Sequence, residues 1–164
     1  MTKPTSLAVQ FENIPLALKK IPRWVLWRLV EVGDEQSKRW SKLPTQHNGK
    51  AASSTNPATW TDFITVQEAY TNHPEKFDGV GFVFSTDDDL VGIDLDDCYN
   101  HPTAGFINAA MQQLASQIDG YMEVSPSGTG VKIFTRSLPF ASHADHSIGF
   151  EAYSNGRFFT VTGH

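Results

Sequence analysis

Short apolar, β-branched segments separated by turn residues constrain the fold of this chain more than any other feature. The clearest is residues 23–32 (RWVLWRLVEV), which is dense in aromatic and β-branched side chains and predicts a largely buried strand. A second strand is predicted to pair with it and to stop at Pro44. The strands predicted after the first are residues 39–43, 79–84, 90–94, 121–124, 131–135, 148–153 and 157–161.

Two of these pairs are separated by turn residues and predict hairpins, 79–84 with 90–94 and 148–153 with 157–161. Helical spacing of apolar residues predicts helices over about 58–72 and 104–119. Mostly antiparallel strands with few helices indicate an α+β sheet domain with helices on one side of the sheet.

At 164 residues the chain is about the length of one domain. It has no apolar run of about 18 residues, which predicts no membrane partner. Its one cysteine, Cys98, excludes an internal disulfide and a cysteine-based zinc site, and a reducing, cytoplasmic location is expected.

Charge is distributed unevenly along the chain, although the formal net charge is -5. The first 50 residues contain nine Lys and Arg but four Asp and Glu, which gives +5, and the remainder carries -10. A basic first half predicts a surface for nucleic acid, and the alternative is ordinary unevenness of surface charge.

The motif VGIDLDD at residues 91–97 places Asp94 and Asp96 at the end of a predicted buried strand. Residues two apart on a strand face the same side, so these carboxylates are expected to converge. Paired carboxylates repel each other unless a cation lies between them, and their oxygens suit Mg²⁺ or Mn²⁺. The alternative is a solvated, Asp-rich turn.

The loop at residues 125–130 (SPSGTG) is rich in glycine and serine and leads to Lys132 on the next strand. Exposed backbone N–H groups in such a loop can bind phosphate, and a neighbouring cation would complement a triphosphate. The loop does not have the order of a Walker A motif. A flexible hairpin is the alternative.

A third motif lies at residues 150–159 (FEAYSNGRFF). It places Glu151 on a strand and Arg157 after a turn, so that it adds a third acid and a further cation for phosphate. An ordinary hairpin with a salt bridge across it is the alternative.

Taken together and in this order, the motifs resemble the archaeo-eukaryotic primase superfamily, in its branch of primase-polymerase domains from phages, plasmids and mobile elements. The family's hDhD motif is matched by residues 93–96, its sxH-type motif is placed at 127–132, and its third acidic motif is matched by Phe150 and Glu151. The N-terminal half is similar too. The resemblance extends from about residue 20 to 163, and its remaining matching segments are residues 21–27, 42–44, 49–60 and 156–163.

The resemblance implies a primase-polymerase core, with an N-terminal α/β unit (about 1–75, with a basic face) packed with an RRM-like, mostly antiparallel half (about 76–164) that binds metal. It implies template-dependent DNA primase and polymerase activity, by two-metal nucleotidyl transfer from NTP or dNTP. Two Mg²⁺ or Mn²⁺ ions would be held by the catalytic residues Asp94, Asp96 and Glu151. The residues implied to bind the nucleotide are Ser127, Gly128, Gly130, Lys132 and Arg157.

The same resemblance implies a single-stranded DNA template and a primer as partners. It also indicates that the chain is a fragment of a longer replication protein with helical and helicase regions. The four tryptophans would be divided between the core and template stacking. The residues implied to contact DNA are Lys42, Lys50, Ser53, Ser54 and Thr55.

One residue departs from the family pattern, because Lys132 stands where the motif has histidine. Lysine keeps the positive charge but loses the geometry and neutral form of histidine. A non-catalytic, initiator-type nucleic-acid-binding domain on the same fold is therefore the main alternative. A DxD phosphohydrolase is a further one, although that type requires a parallel sheet.

Overall fold

A computed structural model describes residues 2–103 and 105–164, and it contains two antiparallel sheets. The four-stranded first sheet has the order β11–β3–β1–β2, and the five-stranded second sheet has the order β7–β8–β4–β10–β9. A small hairpin, β5–β6, lies beside them. The strands are β1 (Trp24–Val32), β2 (Arg39–Thr45), β3 (Gly79–Val83), β4 (Leu90–Leu95), β5 (Tyr99–Asn100), β6 (Gly105–Phe106), β7 (Tyr121–Val124), β8 (Val131–Arg136), β9 (His143–Asp145), β10 (Phe150–Tyr153) and β11 (Phe158–Val161).

The α-helices are few and short, namely α1 (Leu16–Lys19), α2 (Phe63–Asn72) and α3 (Ala109–Ser116). Two single 3₁₀ turns lie at Phe11–Asn13 and Pro57–Thr59. The predicted α+β class with mostly antiparallel strands is confirmed. In the part of the chain described, no helix has the length and apolar character needed to cross a bilayer.

Both predicted hairpins are wrong, because their strands belong to different sheets. β3 pairs with β1 and β11 in the first sheet, whereas β4 pairs with β8 and β10 in the second. β10 and β11 are likewise divided between the sheets. Gly156 N–H donates to the Phe84 carbonyl, and Phe84 N–H donates to the Arg157 carbonyl. The turn at residues 154–156 therefore leads the chain from β10 of the second sheet to β11 of the first.

Both predicted helices begin later than expected, because side-chain caps fix their first residues. The Asp62 carboxylate accepts from Thr65 N–H and begins α2, while residue 61 forms a bridge with Trp24. Asn108 caps α3 in the same way, and the preceding residues form β6 instead of helix. The helices do not share one side, since α2 packs on the first sheet and α3 on the second.

Two strand boundaries also differ from the prediction. β2 continues through Pro44, which is tolerated because β2 is an edge strand and Pro44 needs no partner for the N–H it lacks. β9 lies in a segment where the sequence predicts no strand, yet it pairs with β10 at the edge of the second sheet. The first sheet takes β1 and β2 from residues before 75 and β3 and β11 from residues after it, so the sheets do not follow the division predicted there.

Aromatic side chains join the two sheets into one core. Phe134 of the second sheet packs against Phe84, which follows β3, and against Phe159 of the first sheet, with ring centroids 5.6 and 5.8 Å apart. The same face of the first sheet packs on α2, where the rings of Trp24 and Phe63 lie 5.0 Å apart. A second cluster lies between the second sheet and α3, and its buried members are Leu95, Cys98, Met111, Ala115, Val131 and Ile133.

Gly92 lies on β4 against aromatic rings of the inter-sheet core, two residues before Asp94. An added Cβ would lie 2.5 Å from ring carbons of Phe84 and Phe159. We therefore expect Gly92→Ala to lower the free energy of unfolding by about 1–3 kcal/mol, measured by urea denaturation. Gly49→Asn is the control, because its site has a positive φ that Asn tolerates and nothing within 4 Å of the added Cβ. Equal stability of Gly92→Ala and the unchanged chain would contradict this packing.

Candidate active site

A row of charged side chains crosses the second sheet on the face turned toward the first. In the strand register, Asp94 of β4 lies between Lys132 of β8 and Glu151 of β10. Glu123 of β7 continues the row beyond Lys132. Alternation along β4 places Asp94 on the same side as Gly92, which touches the inter-sheet core. The fold therefore brings together an acid pair and a cation from segments about 20 to 60 residues apart.

Asp94, Lys132 and Glu151 of this row form one wall of a cleft of about 360 Å³ between the two sheets. The opposite wall comes from β2 and β11 of the first sheet, through Trp40, Lys42 and Thr160. Arg157 also lines it, so three cations and two acids meet there. A larger hollow of about 720 Å³ lies elsewhere, and none of the predicted site residues is among the described residues that line it.

Asp94 and Lys132 form a buried ion pair between Asp94 Oδ2 and Lys132 Nζ. The two side chains are 14% and 6% exposed. The ammonium also lies 4.6 Å from the centre of the Phe159 ring, an arrangement that stabilises a desolvated cation. Lys132 is thus directed at the carboxylate, whereas the sequence predicted that it would be directed at a nucleotide.

Three buried polar atoms of the cleft residues have no hydrogen-bond partner in the part of the chain described: Trp40 Nε1, Asp94 Oδ1 and Thr160 Oγ1. A buried polar group without a partner costs about 1–3 kcal/mol. The free oxygen of Asp94 fits the requirement of a hard cation for a carboxylate ligand. The cleft therefore contains buried polar atoms without hydrogen-bond partners, which is typical of a site that binds a ligand.

Glu151 is held by three neighbours. The Tyr153 hydroxyl donates to Glu151 Oε2 over 2.7 Å, and it accepts from Arg157 over 2.6 Å. Arg157 Nη2 lies 3.9 Å from the same oxygen of Glu151, and His146 Nδ1 lies 3.2 Å from Glu151 Oε1. Burial, followed by the hydrogen bond to Glu151, raises the pKa of the Tyr153 hydroxyl. Tyr153 therefore positions the third acid and the arginine together.

Asp96 follows the end of β4, and its N–H donates to the carbonyl of Gly149. It lines a neighbouring hollow of about 580 Å³ with Asp97 and His146. The pKa of the Asp96 carboxyl lies above its ordinary value, because desolvation and then the charge of Asp94 disfavour the ionised form, against the opposing effect of Lys132. Asp96 is thus electrostatically coupled to Asp94 although it does not line the same cleft.

No group of three His, Cys, Asp or Glu side chains is arranged to hold a metal ion within residues 2–103 and 105–164. Lys132 occupies one oxygen of Asp94, and the Tyr153 hydroxyl occupies one oxygen of Glu151, so neither carboxylate has both oxygens free for a metal ion. The three predicted metal ligands, Asp94, Asp96 and Glu151, lie near one another, but their carboxylates do not form a complete coordination shell.

The predicted phosphate loop is closed by its own hydrogen bonds. Gly128 N–H donates to the Ser125 carbonyl, Gly130 N–H donates to Ser125 Oγ, and Ser127 Oγ lies 2.9 Å from Thr129 Oγ1. Among the described residues that line the cleft, Lys132 and Arg157 are present but Ser127, Gly128 and Gly130 are not. The loop lies beside Asp96 instead, where Gly130 approaches its Cα.

The predicted DNA-contacting residues lie in three places. Lys42 lines the cleft, 6.0 Å from the centre of the Trp27 ring, and burial followed by the charge of Lys132 lowers the pKa of its ammonium. Lys50 is exposed in the turn after β2. The loop at residues 53–55 adjoins Arg157, since Ser54 Oγ donates to the carbonyl of Gly156 over 2.9 Å.

Trp24 and Trp27 are buried on opposite faces of the first sheet, at 0% and 1% exposure, so they belong to the core and do not stack on a template. Sequence reasoning missed the contribution of Glu123, and it gave Trp40 only as one of four tryptophans divided between the core and template stacking. An acid within the strand segment YMEV was the available signal for Glu123. No local signal distinguished Trp40 from the core tryptophans.

Comparison with known proteins gives one informative match. No family model matches the chain. A protein named DNA primase-polymerase, from Nitratiruptor phage NrS-1, is 33% identical over 153 residues. The matched region is 90% of this chain but 20% of that protein, so the chain spans about one fifth of the relative's length. The similarity therefore covers most of the fold described above.

Proposed function

We propose that this chain is the catalytic core of a DNA primase-polymerase, which adds NTP or dNTP to a primer on a single-stranded DNA template. The observation that carries the proposal is the direct cross-strand alignment of Asp94 with Glu151 in a cleft that also contains Lys42, Lys132 and Arg157. Acids beside several cations suit a reaction on a triphosphate. The similarity to part of a phage protein of that name supports the same reaction.

In this proposal Asp94, Asp96 and Glu151 would hold two Mg²⁺ or Mn²⁺ ions, and the unpartnered Asp94 oxygen fits such a role. Bound there, the ions would supply Lewis acidity toward the triphosphate and the primer hydroxyl. Arg157 and Lys42 bind the phosphate oxygens from the opposite side of the cleft. The loop at residues 53–55 extends this surface toward the template.

The experiment is a primer-extension assay on the chain with Mg²⁺ or Mn²⁺, a primed single-stranded template and labelled nucleotides. Product whose sequence follows the template is the expected result. The assay is repeated without primer to test initiation, and with NTP and dNTP separately. Absence of product both here and in the longer native protein contradicts the proposed function.

A second function is favoured by the Asp94–Lys132 ion pair, which occupies the carboxylate that catalysis needs. On this reading the chain binds nucleic acid without transferring nucleotides. Salt-dependent DNA binding that is indifferent to divalent ions, without metal-dependent nucleotide binding, would support it. The phosphohydrolase alternative is not supported, because both sheets are antiparallel in the described residues.

Tyr153→Phe tests the positioning of Arg157. The change removes the hydroxyl that accepts from Arg157 and donates to Glu151, while the ring stays in the core. We expect nucleotide affinity to fall about tenfold, measured by calorimetry with a non-hydrolysable triphosphate. Tyr70→Phe, which removes a hydroxyl on α2 that accepts from Val9, is the control. Equal affinity in the two variants would contradict a positioning role.

A further inference from the structure

We propose that Lys132 and a divalent cation compete for Asp94, and that Lys132 transfers to the triphosphate when the cation binds. The second step depends on the proposed function, whereas the first depends only on the carboxylate binding a cation. Lys132 would then couple metal binding to nucleotide binding.

Lys132 and a divalent cation would meet at the two oxygens of one carboxylate, that of Asp94. Lys132 faces it directly in the strand register and holds Oδ2, while the other oxygen is buried without a partner. The ammonium is enclosed by the sheet and the Phe159 ring. A divalent ion at the free oxygen would lie beside this ammonium. Because the two positive charges repel each other in a poorly solvated site, binding of the ion favours movement of the ammonium away from Asp94.

A displaced Lys132 requires a new anion, since a buried charge without a partner is costly. Its other neighbour in the row, Glu123, does not provide one. Both carboxylate oxygens of Glu123 already accept hydrogen bonds, from Thr162 N–H and from Gly163 N–H and the Tyr121 hydroxyl. The cleft, where Lys42 and Arg157 gather positive charge, is where an anionic triphosphate would be bound.

Competition followed by transfer makes the two ligands cooperative. The cation frees Lys132 for the phosphates, and the phosphates stabilise the arrangement in which Asp94 is free for the cation. Such coupling is reciprocal, so each ligand raises the affinity of the other by the same factor. A histidine at this position, neutral at pH 8, would not compete in this way.

The test measures Mn²⁺ binding to the chain in the absence of nucleotide, by electron paramagnetic resonance of the free ion. We expect Lys132→Met to bind Mn²⁺ at least about tenfold more tightly than the unchanged chain. Lys42→Met removes the same charge from the same cleft without breaking the pair, and we expect a change of less than about threefold. Folding of each variant is checked by circular dichroism, and Lys132→Gln replaces Lys132→Met if the latter does not fold.

A second readout follows the ammonium itself. On addition of Mg²⁺ to the unchanged chain, the Lys132 Nζ resonance in lysine-selective nitrogen NMR is expected to shift and to exchange faster with solvent. Equal or weaker Mn²⁺ binding by Lys132→Met, equal gains in both lysine variants, or an unmoved resonance at saturating Mg²⁺ would each overturn the competition. Absence of template-dependent extension by the unchanged chain and by the longer native protein, together with the expected gain in Mn²⁺ affinity, would instead refute the proposed function alone.

Discussion

Asp94→Asn is expected to lower template-dependent nucleotide incorporation by at least about a hundredfold, with little effect on DNA binding. The carboxylate lies between Lys132 and Glu151 in the strand register and presents its free oxygen inside the cleft. Asparagine keeps the shape of the side chain but removes the charge that a divalent cation needs. The measurement is the rate of primer extension at saturating nucleotide.

Two further variants separate loss of chemistry from loss of structure. Asp94→Asn leaves the buried Lys132 without its partner, which lowers stability by itself. The double variant Asp94→Asn with Lys132→Met removes both charges, so it should recover stability but not activity. Asp89→Asn is the matched surface control, because Asp89 pairs with the exposed Arg136 outside the cleft. Activity in the double variant close to that of the unchanged chain would contradict a catalytic Asp94.

Local sequence patterns predicted the existence of most elements but not their assignment to sheets. The strand at β1 and the short strands around Gly92 and Ala152 were recognised from alternation and β-branched content. The hairpins failed because the turns after Val83 and Tyr153 have ordinary turn composition, although each carries the chain from one sheet to the other. Which sheet a strand joins depends on long-range aromatic packing, such as Phe84 against Phe134, and no short segment contains that information.

The sequence predicted only part of the site, because short segments do not show how distant strands pair. The motifs identified Asp94, Lys132 and Glu151, and the structure places these three in one cross-strand row. Sequence spacing could not show that Lys132 would pair with Asp94. Nor could it show that the glycine loop, which joins β7 to β8, would close on its own hydrogen bonds. The ion pair depends on the register of β4 and β8, and the loop closure depends on where the side chains of Ser125 and Ser127 lie. A metal-binding or nucleotide-binding role for these residues stays a prediction.

Glu123→Gln is expected to change the pH dependence of stability. Glu123 is 2% exposed, and burial raises the pKa of its carboxyl from about 4.5 to about 7, against the hydrogen bonds from Gly163, Tyr121 and Thr162. Between these values the folded chain keeps a proton that the unfolded chain has lost, so this contribution to stability falls as pH rises. Across the whole interval it amounts to about 3 kcal/mol.

Glutamine does not titrate, so the variant lacks the fall in stability with rising pH that Glu123 causes in the unchanged chain. Relative to the unchanged chain, it should therefore gain about 2–3 kcal/mol in free energy of unfolding between pH 5 and pH 8, measured by urea denaturation at each pH. Glu68→Gln, which removes an exposed carboxylate from α2, is the matched control. A difference between Glu123→Gln and the unchanged chain that is the same at all pH values would show that folding does not shift the pKa of Glu123. Glu123 accepts hydrogen bonds from the N–H groups of Thr162 and Gly163. Its protonation therefore also changes the strength of the hydrogen bonds between β7 and the segment that follows β11.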